Sequence, residues 1–173
     1  MKTITKTGIA LRMAGFFLTA ALARPAAAQT YVPFNGTFQG NDTVLPPTLT
    51  QAITGTGTHV GQFTSTTHLL LTASGGSGTG EWIAGNGDRI DTTVVGSSVH
   101  VDMAPCQVVG AQPGDGFAKI TQIHTVTGGT GRFVGVHGSF VLTLYHDVVT
   151  RTDGTHGTCG SYSGTITPPG ADH

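Results

Sequence analysis

The chain has 173 residues, of which 10% are charged and 27 are glycine. From residue 29 onward it holds four basic residues against nine acidic ones, a net charge of −5 for that part. Because phosphate contacts need clusters of lysine and arginine, this balance argues against a nucleic-acid-binding protein.

Residues 1–28 have the pattern of a secretory signal peptide, with a basic start, an apolar run from Met13 to Ala23 and small residues before Gln29. We expect cleavage before Gln29, a single domain over residues 29–173, and export to the periplasm or the extracellular space. An uncleaved anchor is the alternative. The apolar run is shorter than the roughly 20 residues that span a bilayer, and no later segment is long enough, so no membrane span is expected in the mature form.

After the leader the sequence favours β-structure. Threonine and valine suit pleated strands, and no window keeps an apolar period of 3.6 residues. The predicted strands are Val32–Gln39, Leu49–Thr54, His59–Thr72, Gly80–Ala84, Arg89–Val95, Val99–Met103, Ala118–Thr127, Val134–Leu144 and Ser161–Thr167. Eight or nine short strands in one domain predict an all-β fold, either a small antiparallel β-barrel of about eight strands or a sandwich.

Two of the connections have a specific prediction. Between Trp82 and Ile90 the sequence IAGNGDRI predicts a hairpin, because Asn-Gly tolerates the positive φ angles of tight turns. The segment Ala104–Gly116 is the longest loop candidate, and it contains Cys106. In an oxidising compartment we expect Cys106 to form a disulfide with Cys159, since the chain has no Cys-x-x-Cys spacing that would suit a redox site.

The glycine-rich stretch TVTGGTGRFVGVHGSF could be a phosphate-binding loop or a turn. A dinucleotide fingerprint opens a helix, and a Walker loop needs Gly-Lys-Ser or Gly-Lys-Thr. Here a strand follows, the spacing is one residue longer, and neither tripeptide occurs. We therefore interpret these glycines as turn residues, and we expect no nucleotide or other cofactor.

The surrounding sequence ITQIHTVTGGTGRFVGVHGSFVLTL resembles the signature of the allene oxide cyclase and dirigent-protein superfamily. There a strand leads into a Gly-Gly-x-Gly turn, then an aromatic residue and a Gly-x-x-Gly. The matching positions are Gly128, Gly129, Gly131, Phe133, Gly135 and Gly138. The resemblance covers roughly Gly80 to Thr167. It implies an eight-stranded barrel with an apolar cavity, often trimeric, and hence a homo-oligomer.

No active-site residue of that superfamily matches a position of this chain, so the candidates come from residue type alone. Glu81 and Trp82 are neighbours on a predicted strand and must point to opposite faces. We expect Trp82 inside, as core or as a wall of a ligand pocket. If Glu81 were inside instead, burial would make it a candidate general acid or base.

Histidines are the other candidates. His124 shares the apolar parity of Ile120 and Val126, and His146 continues the parity of Leu142 and Leu144, so both could face a ligand or carry a proton. His100 and Asp102 share one strand face. No His-x-His pair occurs, and we expect no metal site; scattered surface histidines are the simpler interpretation.

Three functions remain open on this basis. The first is a non-catalytic exported barrel that binds a small apolar ligand. The second is a cyclase-like or dirigent-like enzyme acting on a small hydrophobic molecule. The third is a structural or cell-surface interaction module whose barrel is filled with side chains.

Overall fold

The computed structural model of the chain describes residues 29–170. These residues form eight strands and one turn of 3-10 helix. The strands are β1 (Val32–Leu45), β2 (Thr48–Gly57), β3 (Gly61–Thr72), β4 (Gly75–Ala84), β5 (Arg89–Val101), β6 (Phe117–Gly129), β7 (Gly138–Asp147) and β8 (Thr155–Ile166), and the 3-10 turn is Gly131–Phe133.

The strands form a closed antiparallel barrel in chain order, and β8 pairs with β1 to complete it. The predicted all-β barrel is therefore confirmed. The predicted signal peptide, residues 1–28, lies outside the described residues. Within residues 29–170 no helix is long and apolar enough to cross a membrane.

Side chains alternate between the two faces of every strand, as the pleat requires. The inward positions carry the large apolar residues, and the outward positions carry mainly serine and threonine. One outer row crosses five successive strands and consists of exposed residues that lie opposite each other, Thr79, Thr93, Thr125, Ser139 and Thr165. Water therefore hydrates the outer surface largely through hydroxyl groups, since this surface bears few charges.

One end of the barrel, which we call the closed end, is filled with aromatic side chains. Trp82 contacts the rings of Phe63, Phe140 and Tyr162 at centroid distances of 4.8, 5.1 and 5.1 Å. Bulky rings fit because the strands carry glycines beside them: a Cβ at Gly36 would lie 2.6 Å from Tyr162 Cε1. The aromatic rings fill much of the interior of this half of the barrel.

The glycine-rich stretch caps the closed end. The prediction of a strand beginning at Val134 was wrong, because Gly131–Phe133 form a 3-10 turn and β7 begins only at Gly138. Gly131 and Gly135 have φ of 56° and 74°, which a β-strand does not allow and which glycine adopts without strain. The turn inserts Phe133 and Val136, exposed by 0% and 2%, into the aromatic cluster. The interpretation as a turn holds, and its role is to close the barrel.

Several other predicted boundaries were too short. β1 continues past Gln39 to Leu45, and β5 joins the two predicted strands Arg89–Val95 and Val99–Met103 into one. The predicted hairpin at Asn86-Gly87 is confirmed, with a φ of 88° at Gly87 and a hydrogen bond from its amide to the Ala84 carbonyl. The prediction began β3 at His59, but that residue lies in a turn with a φ of 63°.

The opposite end, which we call the open end, carries the long loop between β5 and β6, residues 102–116. Cys106 and Cys159 form the predicted disulfide, with their Cα atoms 6.1 Å apart. Cys159 is an outward position of β8, so the disulfide attaches the loop to the outside of the barrel. Val108 packs there over Gly157 and is 5% exposed. The loop consequently covers the outer wall and leaves the barrel end open.

Candidate functional site

A cavity of about 370 Å³ occupies the open end of the barrel. Seven strands and the β3–β4 turn contribute to its lining. One part of the wall is apolar and consists of Leu49, Leu69, Leu71, Ala118 and Ile120. The other part is polar and consists chiefly of Asp42, Gln51, Gln122 and His146. Both kinds of side chain point inward because they share the parity of the apolar positions on their strands.

The centre of the polar wall is a pair formed by Asp42 and His146. The Nδ1 atom of His146 lies 2.7 Å from Oδ2 of Asp42, and Asp42 is completely buried. An ionised carboxylate only accepts hydrogen bonds, so Nδ1 of His146 carries the proton. In the neutral form of the ring, Nε2 then carries the free lone pair. Among the described residues no side chain or backbone group hydrogen-bonds to that nitrogen.

His156 fixes the plane of the His146 ring by stacking on it, with centroids 4.5 Å apart and planes 26° apart. His156 itself is held at both nitrogens. Its Nδ1 lies 2.8 Å from the carbonyl oxygen of Asp147, and its Nε2 lies 3.3 Å from the hydroxyl of Thr150. A carbonyl accepts only, so Nδ1–H of His156 donates to the carbonyl oxygen of Asp147. The pair of Asp42 and His146 thus packs against a ring that is itself hydrogen-bonded at both nitrogens.

Gln51 is the second unusual group of the cavity. It is 1% exposed, and neither its amide nitrogen nor its amide oxygen has a hydrogen-bond partner among the described residues. Oδ1 of Asp42, on the adjacent strand opposite Gln51, is also buried without a partner. A buried polar atom left unpaired costs about 1–3 kcal/mol. The two N–H groups of the Gln51 amide, its oxygen and Oδ1 of Asp42 are therefore available to hydrogen-bond to a polar group of a ligand.

His124 lies deeper in the barrel, between the cavity and the aromatic cluster. It is 0% exposed, its ring stacks on Phe140 at 4.9 Å, and its Nε2 donates to Oε1 of Gln122 at 3.2 Å. Its Nδ1 lies 3.0 Å from the hydroxyl of Thr92. Burial lowers the pKa of His124 to about 3, so the ring stays neutral. His124 is a hydrogen-bonded core residue that positions the cavity side chain Gln122.

The remaining sequence candidates lie away from the cavity. Trp82 is inside, as expected, but it is core of the closed end and no part of the cavity wall. Glu81 points outward, where its carboxylate pairs with Arg89 at 3.2 Å. The condition that would have made Glu81 a buried acid or base is not met. His100 and Asp102 approach to 3.7 Å, but their side chains are 68% and 99% exposed.

The sequence predictions missed Asp42, Gln51, Gln122 and His156. The alternation along each strand could have identified two of them. Asp42 follows Phe34 and Phe38 at spacings of four, and Gln51 lies between Leu49 and Ile53 at spacings of two, so both share the face of the apolar residues. Asp42 was missed because the predicted strand ended at Gln39.

Within residues 29–170 no group of three or more His, Cys, Asp or Glu side chains could hold a metal ion.

A larger depression of about 620 Å³ lies on β1 to β4. It is lined by threonine, glutamine and apolar residues, with no titratable side chain, so it offers little chemistry.

Comparison with known proteins adds no assignment. No protein-family model matches the chain, and neither a curated protein nor a solved structure matches it. A barrel hosts many unrelated functions, so the function must follow from the chemistry of the cavity.

Proposed function

We propose that the protein binds one small, uncharged, largely apolar molecule with a polar head in the cavity of the open end. The observation that carries this is the amide of Gln51, which has no hydrogen-bond partner among the described residues and belongs to a cavity also lined by Leu49, Leu69, Leu71 and Ile120. A ligand with a hydroxyl or carbonyl group would pair the amide and place its apolar body on the leucines. A small-molecule site with these two components is typical of ligand-binding proteins.

The size and charge of the cavity limit the range of ligands that it can bind. A volume of about 370 Å³ is near the lower limit of ligand pockets, which are about 300–1,000 Å³. Among the described residues that line it, Asp42 supplies a carboxylate and no lysine or arginine is present. An anionic ligand would face this carboxylate without a compensating cation. We therefore favour neutral ligands of one to three rings, or of similar length.

The proposal agrees with the family resemblance at Gly128–Gly138, which implies a barrel that holds a small hydrophobic molecule. We also propose that the protein is exported. The disulfide between Cys106 and Cys159 supports this, because structural disulfides persist in oxidising compartments. The leader-like pattern of residues 1–28 is the second support.

Binding is tested with N-phenyl-1-naphthylamine, a neutral amine whose fluorescence rises in apolar surroundings. We expect saturable binding of one molecule per chain. Leu69→Trp should abolish it, because Leu69 is 5% exposed and lines the cavity. Leu70→Trp is the matched control, since Leu70 is the next residue on β3, faces outward and is 54% exposed. Equal binding by the two variants would refute a site inside the barrel.

The polar head is tested by displacing the dye with 2-naphthol or with naphthalene. We expect 2-naphthol to bind more tightly by about tenfold, the equivalent of one hydrogen bond of about 1.4 kcal/mol. Gln51→Leu should remove this difference and retain the binding of naphthalene. If Gln51→Leu leaves the preference for 2-naphthol intact, the amide is not the group that recognises the head.

A further inference from the structure

The pair of Asp42 and His146 has the geometry of a proton-transfer device. The carboxylate is buried and lies 2.7 Å from Nδ1 of His146, and the ring of His156 stacks on the ring of His146. Both features orient one imidazole in one tautomer, whose unprotonated nitrogen is Nε2. A purely structural hydrogen bond would not need His146 to line the cavity, which it does.

The second component is a donor for a developing negative charge. Gln51 lies opposite Asp42 in the β1–β2 register, and its amide nitrogen has no protein partner among the described residues. A buried amide N–H that is held before the reaction stabilises an oxyanion better than water does, because it need not reorganise. The apolar wall of Leu49, Leu69 and Leu71 keeps the medium around such an ion low in dielectric.

We propose that the open end is a catalytic site for carbon acids: His146 removes a proton from the carbon next to the carbonyl group of a small apolar ketone or aldehyde. This inference rests on the proposed binding of such a molecule in the cavity. His146 is the catalytic residue, Asp42 is a positioning residue, and Gln51 binds the carbonyl oxygen.

The step balances without any further reactant. The C–H bond breaks and its proton goes to Nε2 of His146, so the ring becomes a cation that compensates the negative charge of the enolate. The electron pair of that bond forms a C=C bond, and the π electrons of the carbonyl move onto its oxygen, which accepts a hydrogen bond from Gln51. Return of the proton to the same carbon exchanges or inverts it, and return to a conjugated position shifts a double bond. The reaction class is therefore isomerisation or epimerisation through an enolate.

The test uses 2-tetralone in D2O and follows deuterium uptake at its C1 carbon by NMR. We expect saturable exchange above the rate in buffer. His146→Gln should lower the protein-dependent rate by about 10²–10⁴-fold, the usual contribution of a general base. His68→Gln is the matched control, since His68 lies on the outer face of β3 and should exchange like the unchanged protein.

Asp42→Asn separates positioning from folding. The asparagine amide can donate to Nδ1, which would move the ring proton to Nε2 and remove the base while preserving the contact. We expect a similar loss of exchange, together with a switch of the His146 tautomer in its nitrogen NMR shifts. Loss of exchange without the tautomer switch would contradict the positioning role of Asp42.

Binding is measured in parallel with 2-naphthol, which has the shape of the enol of 2-tetralone, so that the two proposals fail separately. If 2-naphthol binds and is blocked by Leu69→Trp, but 2-tetralone exchanges no faster than in buffer, the proton-transfer proposal is overturned and the binding proposal stands. Exchange that survives His146→Gln in a protein that still binds 2-naphthol also overturns it. If neither compound binds, both proposals fail.

Discussion

The two ends of the barrel use the same strands for opposite purposes. At the closed end, the inward positions carry phenylalanine, tryptophan and tyrosine, and the turn at Gly131–Phe133 adds one more ring. At the open end, the continuations of the same strands carry Asp42, Gln51 and His146 among leucines, around a cavity of about 370 Å³. The barrel therefore changes along its axis from a filled end rich in aromatic rings to a hollow end with polar side chains.

The difference indicates where stability and function lie in this fold. The packing of aromatic rings against one another stabilises the closed end. The open end has destabilising features instead: a cavity, a completely buried carboxylate, and a buried amide that has no partner among the described residues. Proteins keep such features mainly at functional sites. If the two ends differ in this way, substitutions at each end should change stability and binding to different degrees.

Removal of a ring from the closed end should be the most destabilising change. Phe140 is 1% exposed and packs against Phe34, Trp82 and His124. Phe140→Ala should lower the free energy of unfolding by about 3–5 kcal/mol, since it deletes a ring and leaves a void. Urea denaturation followed by the fluorescence of Trp82, the only tryptophan, measures the change.

Leu69→Ala is the comparison variant at the open end. Leu69 already borders the cavity, so part of its surface has no packing partner to lose. We expect less than half the loss found for Phe140→Ala. Equal losses would show that the open end is packed as tightly as the closed one.

Removal of the disulfide should lower the free energy of unfolding and leave ligand binding in the cavity unchanged. Its two cysteines are separated by 53 positions, and for a loop of that length the chain-entropy model gives about 4 kcal/mol. The paired replacement Cys106→Ser and Cys159→Ser should lower the free energy of unfolding by that order. Dye binding at temperatures where the variant is folded should remain, because the loop covers the outer wall. If the folded variant no longer binds the dye, the loop between β5 and β6 contributes to the binding site.

Much of this contrast could be predicted from the sequence. Period-two alternation and Asn-Gly identified strands and a hairpin, and the inward parity of Trp82, His124 and His146 is visible in the residues around them. Two cysteines without a redox spacing were enough for the disulfide. Local patterns of this kind are sufficient because each strand's own pleat decides which side chains face inward.

The pairing of side chains from distant strands could not be predicted. Asp42 and His146 are 104 residues apart, and they meet only because β8 closes against β1 between them. The sequence Gly40-Asn41-Asp42 has the composition of a turn, which ended the predicted strand early. Pairing with β2 and β8 keeps it extended, so tertiary hydrogen bonding overrides the local preference.

Low pH should reduce the free energy of unfolding through His124, which lies between the two ends of the barrel. Burial lowers the pKa of His124 to about 3, whereas a histidine in the unfolded chain has a pKa of about 6.5. Between these values the unfolded chain binds more protons, so stability is lost as the pH falls through this window. From about pH 8 to about pH 5 the loss due to this one group should be about 2 kcal/mol.

The measurement compares the pH dependence of urea denaturation for three proteins. His124→Gln should lack this part of the slope, whatever its stability at neutral pH. His68→Gln, on the outer face, should retain it. If His124→Gln and the unchanged protein have parallel stability profiles, the ring of His124 is not kept neutral by burial.

The smallest effect is expected at Glu81, whose pairing with Arg89 lies outside both ends. The two side chains are 45% and 43% exposed, and Arg89 has a second acidic partner in Asp91 at 3.0 Å. Solvent screening limits exposed pairs to below about 1 kcal/mol, so Glu81→Gln should change the free energy of unfolding by less than that. Dye binding and proton exchange should stay unchanged, because the carboxylate points away from the cavity. A large loss of exchange in this variant would move the chemistry from His146 to the outer wall, and would reverse the assignment of function to the open end.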